Sequence, residues 1–393
     1  MSASRQKQFR RSIRHGVAFY LIVSIFTLLG ASSRADDLIF WDFTINNVPV
    51  HFIFDSGADS SVLFRSTAER LGIKVIPAAP VALPPGSVHL DNTAPLILTL
   101  GGSSIKTTMY VVDAPPHLLQ GIDGILSLDS IHSSVGSALL IDLDKHIFTS
   151  ISLPADIGRW SKWKMVPNMH VLMFECGDGE KIGIDTGATG GVYLSPKKWE
   201  TWRAQRNGQP ANIDDYVSMD GKLYVSEEMR ARKLTIGDFT LSDVPVRVGN
   251  SPTMARSYKG FDAIIGSYAL YQMKVIIDRQ NNTIYTLPNA GTPPPYDYNR
   301  LGAVFVPHDL VKSDDLMAHV VTGSPAYQAG IRDNDVLEKI DDLDVTKWKT
   351  DPTVLPLNRF WIKPAGTSLH LFLRRDDHPY DVQVTLKDLT PVD

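Results

Sequence analysis

Cysteine is almost missing from this chain: Cys176 is the only one in 393 residues, so no intrachain disulfide and no cysteine-rich metal site can form. Also missing are a His-Glu-x-x-His pair, a Gly-x-Ser-x-Gly elbow and a glycine-rich phosphate loop ending in Lys-Ser/Thr. These gaps exclude the common zinc-peptidase, serine-hydrolase and nucleotide-hydrolase patterns. The eleven histidines are scattered and read as surface or satisfied core residues. Nothing in the sequence implies a metal or a cofactor. Outside the first residues acidic side chains outnumber basic ones. Without residues 1–35 the chain would carry 33 basic side chains against 43 acidic ones, a net charge of −10. Such a surface repels phosphate backbones, so nucleic acid is not an expected partner.

The start of the chain is basic with no acidic residue. Arg5, Lys7, Arg10, Arg11 and Arg14 precede an apolar run from Gly16 to Ala31, and Ser33-Arg34-Ala35 follows as a small-x-small cleavage pattern. The expectation is a signal peptide over 1–35 and an exported protein, periplasmic or extracellular. The alternative is an uncleaved membrane anchor, although the sixteen-residue run is short against the roughly 20 needed to span a bilayer. An exported chain without disulfides suits a bacterial envelope.

The whole chain has 43% hydrophobic and 21% charged residues, with 28 glycines and 25 prolines, a composition for large cores joined by many turns. An internal repeat organises it. Val50-His51-Phe52-Ile53-Phe54 runs into Asp55-Ser56-Gly57-Ala58, and Lys181-Ile182-Gly183-Ile184 runs into Asp185-Thr186-Gly187-Ala188. Each reads as the second arm of a hairpin, turning at Asn46-Asn47 and at Gly177-Asp178-Gly179. Leu98–Gly101 matches Leu234–Gly237, Asp123–Ser127 matches Asp262–Gly266, and Ile141-Asp142 matches Ile277-Asp278, all in the same order and at similar offsets. Two lobes of short strands are expected, over 36–152 and 164–288, with helices at Ser66–Leu71 and Pro196–Gln205. A proline-rich linker over 289–299 leads to a third unit over 300–393.

The two tetrads carry the chemistry. A sharp turn at Gly57 or Gly187, followed by a small alanine, lets two such loops approach closely. Lobes packed about a pseudo-twofold axis would bring Asp55 and Asp185 face to face. Two carboxyls that close share a proton and titrate as a coupled pair, one accepting a proton from water while the other donates to a peptide carbonyl. A single Asp-x-Gly is usually a plain turn; two in register within a repeat are not. Asp142 and Asp278, at strand-to-turn corners, read as structural.

On these residues the chain resembles the pepsin/retropepsin superfamily over roughly 38–288. The alanine after each glycine, and Asp59 after the first tetrad, are most similar to the retroviral type, but both lobes lie in one chain. The resemblance implies a mostly β, bilobal, acid-protease-like double β-barrel with pseudo-twofold symmetry. It makes Asp55 and Asp185 catalytic, and gives Ser56, Gly57, Thr186 and Gly187 the role of bracing the two loops. Ile125-Leu126 and Ile264-Ile265 become the strands that buttress them, and Val81–Asp91 and Tyr216–Val225 the flap candidates, though neither has a glycine-rich tip. Ser127 stands where the family usually has glycine, which would loosen the packing of the first lobe.

The third unit changes pattern. Leu301–Phe305, then Gly323-Ser324-Pro325-Ala326 with Ser324 as a helix cap, then Asp335–Leu337 and Ile340–Asp342, resemble a bacterial PDZ domain of small α+β fold. By that resemblance Leu301, Gly302, Ala303 and Val304 form the loop that holds the end of an extended peptide. Together these readings imply an aspartic endopeptidase acting on proteins or peptides, with a PDZ-like module that recruits substrate or regulates access. The alternatives are an inactive bilobal peptide-binding protein and a scaffold dominated by the third unit.

Overall fold

The computed structural model describes residues 38–389, apart from 79–80, 84–85, 89–90, 101–102, 114–120, 129, 131–137, 168, 170, 207–208, 210, 218–222, 251–253, 256–257, 290–294, 309–311 and 352. The expected signal segment, parts of both flap candidates and the first part of the proline-rich linker lie outside the described residues. Among the described residues no helix is long and apolar enough to cross a membrane.

The fold is mostly β. The first hairpin joins Ile39–Ile45 to Val48–Asp55 through Asn46 and Asn47, whose φ values of 53° and 64° are those of a tight type I′ turn. The strand ending in Asp55 is rich in branched and aromatic side chains because it is covered on both faces; Val50, Phe52, Ile53 and Phe54 are all buried. On its other side it pairs in parallel with Gly124–Ser127, placing Leu126 beside Phe54 and Ser127 beside Asp55. The second half repeats this arrangement. Lys181–Asp185 pairs antiparallel with Met173–Glu175 and in parallel with Ala263–Gly266, so that Gly266 lies beside Asp185. The expected buttress strands are therefore direct neighbours of the aspartate strands in both halves.

The first half forms a nine-stranded sheet, but its last two strands, Ala138–Asp142 and Ile147–Ile151, leave it for a twelve-stranded sheet dominated by the second half. There Ala138–Asp142 pairs antiparallel with Met273–Asp278, and Leu140 lies opposite Ile276. These two residues are 136 positions apart, the same offset that relates Asp142 to Asp278 in the repeat. A residue paired with its own duplicate marks a local twofold axis. Asp142 and Asp278 hold turns and pairings here: Lys274 Nζ lies 3.1 Å from Asp142, and Asn281 donates to Asp278 from its backbone N–H and its side chain.

Ser127 does not loosen the first lobe. It is fully buried, its N–H donates to Ser61 Oγ at 2.9 Å, and its hydroxyl joins those of Ser61 and Ser130 in a cluster. The corresponding Gly266 has no such room, since a Cβ there would meet the carbonyl oxygens of Gly190 and Ala188 at 2.3 and 2.7 Å. The short helix Pro196–Ala204 starts as expected, with Ser195 Oγ accepting from Lys198 N.

The C-terminal unit is a separate six-stranded sheet with its own core, built on Leu301, Phe305, Ile331, Leu337, Ile340, Trp361, Leu369 and Leu371. It meets the second half through the hairpin of Asn212–Val217 and Leu223–Ile236, where Ile213 packs with Val304 and Val306. Behind this hairpin Arg247, 1% exposed, is paired with Asp214 and Glu228 and receives support from the hydroxyl of Tyr296, which donates to Glu228 at 2.7 Å. Burial pushes Asp214 up to about 6 although Arg247 pulls it down. Removing the cation leaves two buried acids facing one another. Arg247→Met is therefore expected to destabilise the fold by about 3–5 kcal/mol, read as a lower urea midpoint at neutral pH.

Candidate active site

The two tetrad loops meet, and each holds the other. Ser56 N–H donates to Thr186 Oγ1 at 3.0 Å, and Thr186 N–H donates to Ser56 Oγ at 3.1 Å. Each hydroxyl then donates across to the strand before the opposite aspartate, Ser56 Oγ to Ile184 O at 2.9 Å and Thr186 Oγ1 to Phe54 O at 2.9 Å. The two hydroxyls do the same work, so serine serves where the other loop has threonine. All four donors are buried and satisfied.

This bracing places Asp55 and Asp185 together. Gly57 N–H donates to Asp55 Oδ1 at 2.7 Å, and Gly187 N–H to Asp185 Oδ1 at 3.0 Å, orienting each carboxyl from its own loop. The glycines are required for the approach. A Cβ on Gly57 would lie 2.5 Å from Asp185 Oδ2, and one on Gly187 would lie 2.5 Å from Asp55 Cγ. The Asp185 carboxyl is close enough to Asp55 to hydrogen-bond with it. Asp55 Oδ2 is buried and receives no hydrogen bond from another donor. Two carboxylate oxygens can bond only if one carries a proton, so a proton shared by the pair satisfies this atom.

The electrostatics agree. Burial first, and the charge of Asp185 second, push the Asp55 carboxyl well above the ordinary value of 3.8, while the Gly57 N–H pulls in the other direction. Both acids are shielded, with Asp55 1% and Asp185 0% exposed. Cys176 is not a rival nucleophile, because burial pushes its thiol up to about 11. Among the described residues no group of three or more His, Cys, Asp or Glu side chains is arranged to hold a metal ion.

The residues expected to hold a peptide end are placed elsewhere. Leu301, Ala303 and Val304 are buried, and Gly302 has the positive φ of 69° that a tight loop needs. The amides of Leu301 and Gly302 both donate to Asn299 Oδ1, at 2.9 and 3.0 Å, and Asn299 Nδ2 donates to Ala303 O. Sequence reasoning missed Asn299, and it also missed Tyr258, which is fully buried against the Asp185 loop. The one available signal for Tyr258 was Gly183, a glycine in an otherwise bulky strand. Its missing side chain leaves room for the Tyr258 ring, since a Cβ would meet that ring at 2.6 Å.

Comparison with known families agrees with the first half of this site. Residues 41–129 match the family model described as aspartyl protease. The match takes in Asp55 and its buttress strand, and supports a protease acting on protein or peptide substrates. No curated protein matches the chain.

Two outcomes are expected. Thr186→Val removes a hydroxyl that both accepts and donates across the loops, and should cost about 1–3 kcal/mol, measured by urea unfolding; an unchanged midpoint would show that the bracing carries no stability. Because the folded state holds a proton on Asp55 more tightly than the unfolded chain does, stability contributed by this acid is full below 3.8 and declines as pH rises toward the raised folded value. Asp55→Asn should therefore unfold at a higher urea concentration than wild type at neutral pH, with the gap closing as pH falls toward 3.8. A gap that is constant with pH contradicts the raised value.

Proposed function

We propose that this protein is an aspartic endopeptidase whose water is activated by Asp55 and Asp185. The observation that carries this reading is the reciprocal bracing of the two loops, which sets two buried carboxyls beside one another, with Asp55 pushed well above its ordinary value by burial and then by the charge of Asp185. The ionised member takes a proton from water as the water oxygen bonds to the peptide carbonyl carbon. The protonated member gives its proton to the carbonyl oxygen, producing a neutral gem-diol. Collapse reverses the roles: the acid that took the water proton delivers it to the leaving nitrogen, the C–N bond breaks, and the other acid recovers its proton from a gem-diol hydroxyl. No covalent intermediate is needed, in keeping with a thiol too weakly acidic to serve.

The C-terminal unit, which resembles a PDZ domain, is assigned to substrate recruitment or control of access. Its contact with the Asn212–Val217 strand supports a role beyond tethering. The basic and apolar start of the sequence supports export to a bacterial envelope, where the substrates would be exported or envelope proteins.

Asp185→Asn provides the test. Cleavage of a mixed peptide library by the purified protein should fall about 10²–10⁴-fold while the fold is retained. Unchanged cleavage would remove the dyad from the mechanism. A wild-type protein that binds peptides and cleaves none at any pH would instead make this a binding protein.

A further inference from the structure

Tyr258 belongs to neither repeated motif, yet it reaches the two acids. Its hydroxyl donates to Ile184 O at 3.2 Å and is within hydrogen-bonding reach of the Asp185 carboxyl. The point at which a Gly57 side chain would begin lies 2.5 Å from Asp185 Oδ2 and 2.7 Å from Tyr258 Oη, so phenol, acid and the opposite loop converge there. The ring lies over Gly183, whose counterpart in the first repeat is Ile53. Tyr258 stands four residues before Asp262; four residues before Asp123, the first repeat has Leu119. In sequence, the phenol has no counterpart at the matching position of the first repeat.

Resting on the dyad reading above, we propose that Tyr258 is a positioning residue that breaks the symmetry of the pair, making Asp185 the carboxylate that accepts the water proton and Asp55 the acid that donates. A hydrogen bond donated to a carboxylate favours its ionised form. Burial first, then the facing acids Asp185, Asp55 and Asp59, push the phenol's ionisation well above the ordinary value. The phenol therefore remains a neutral donor throughout the range in which carboxyls titrate. Its single hydrogen is donated to Ile184 O, and an ionised Asp185 within reach is the stronger acceptor. In sequence the first repeat has Leu119 where the second has Tyr258, and burial, then the charge of Asp185, push the Asp55 carboxyl up.

The experiment follows the carboxyl carbons of the full chain, labelled with [4-13C]aspartate, by NMR across pH. Wild type should show the pair titrating in two separated steps. Tyr258→Phe keeps the ring over Gly183 but removes the donor, and should raise the lower step by about one pH unit, with the acid limb of peptide cleavage moving the same way. Replacing Tyr258 with 3-fluorotyrosine keeps the fold and strengthens the donor, and should lower that step. Shifts of opposite sign are not produced by a merely structural role. If the two steps are present in wild type but stay in place in both variants, the assignment of Tyr258 is overturned while the dyad stands. If wild type shows only separate ordinary carboxyl titrations, the dyad itself is lost and the assignment with it.

Discussion

Four hydrogen bonds between Ser56 and Thr186 and the opposite strands are the constraint on which the rest of this molecule depends. Each contributes modestly to net stability, on the order of 1 kcal/mol, but each joins groups whose burial without a partner would cost more. Once the loops are locked in this way, the carboxyls before them have no freedom to separate. Burial, then the charge of Asp185, push the Asp55 carboxyl above its ordinary value, and the bracing is in turn possible only because Gly57 and Gly187 present no side chain to the opposite acid.

The duplication supplies this geometry, and departures from it give each half its own character. Leu140 opposite Ile276 shows the two halves meeting at equivalent positions. Away from that axis they differ. Ser127 joins a cluster of hydroxyls in the first half, whereas Gly266 is pressed against carbonyl oxygens in the second. Gly183 makes space for Tyr258, whereas Ile53 fills the corresponding position itself. A pair of chemically identical acids must divide into donor and acceptor to hydrolyse a bond, and differences of this kind are the means by which a duplicated frame can do so.

Much of the fold was legible because it rests on local signals. Asn46-Asn47 marks a turn by its tolerance of positive φ, and the apolar runs before Asp55 and Asp185 mark strands buried on both faces. The repeat then placed the buttress strands beside them. What the sequence concealed depends on tertiary approach. A serine where glycine was expected reads as a packing fault until Ser61 and Ser130 are seen to surround it. Tyr258 and Asn299 carry no motif, because a phenol or an amide acquires its role only from what the chain folds against it. The migration of Ala138–Ile151 into the second sheet was equally invisible, since a strand's own pattern does not say which neighbour it will take.

The C-terminal unit illustrates how a resemblance can name a loop without stating its condition. The amides of Leu301 and Gly302 are satisfied by Asn299 Oδ1, and the same side chain donates to Ala303 O and to Ile213 O of the second half's hairpin. A peptide carboxylate arriving at these amides would have to replace a neutral amide oxygen that is already well placed. It would gain from its charge, because charge-assisted bonds are the stronger kind, but it would also release the contact between Asn299 and Ile213. Ile213 sits in turn with Val304 and Val306, on a strand whose Asp214 is held by Arg247. The loop and the hairpin are therefore joined through one side chain, Asn299.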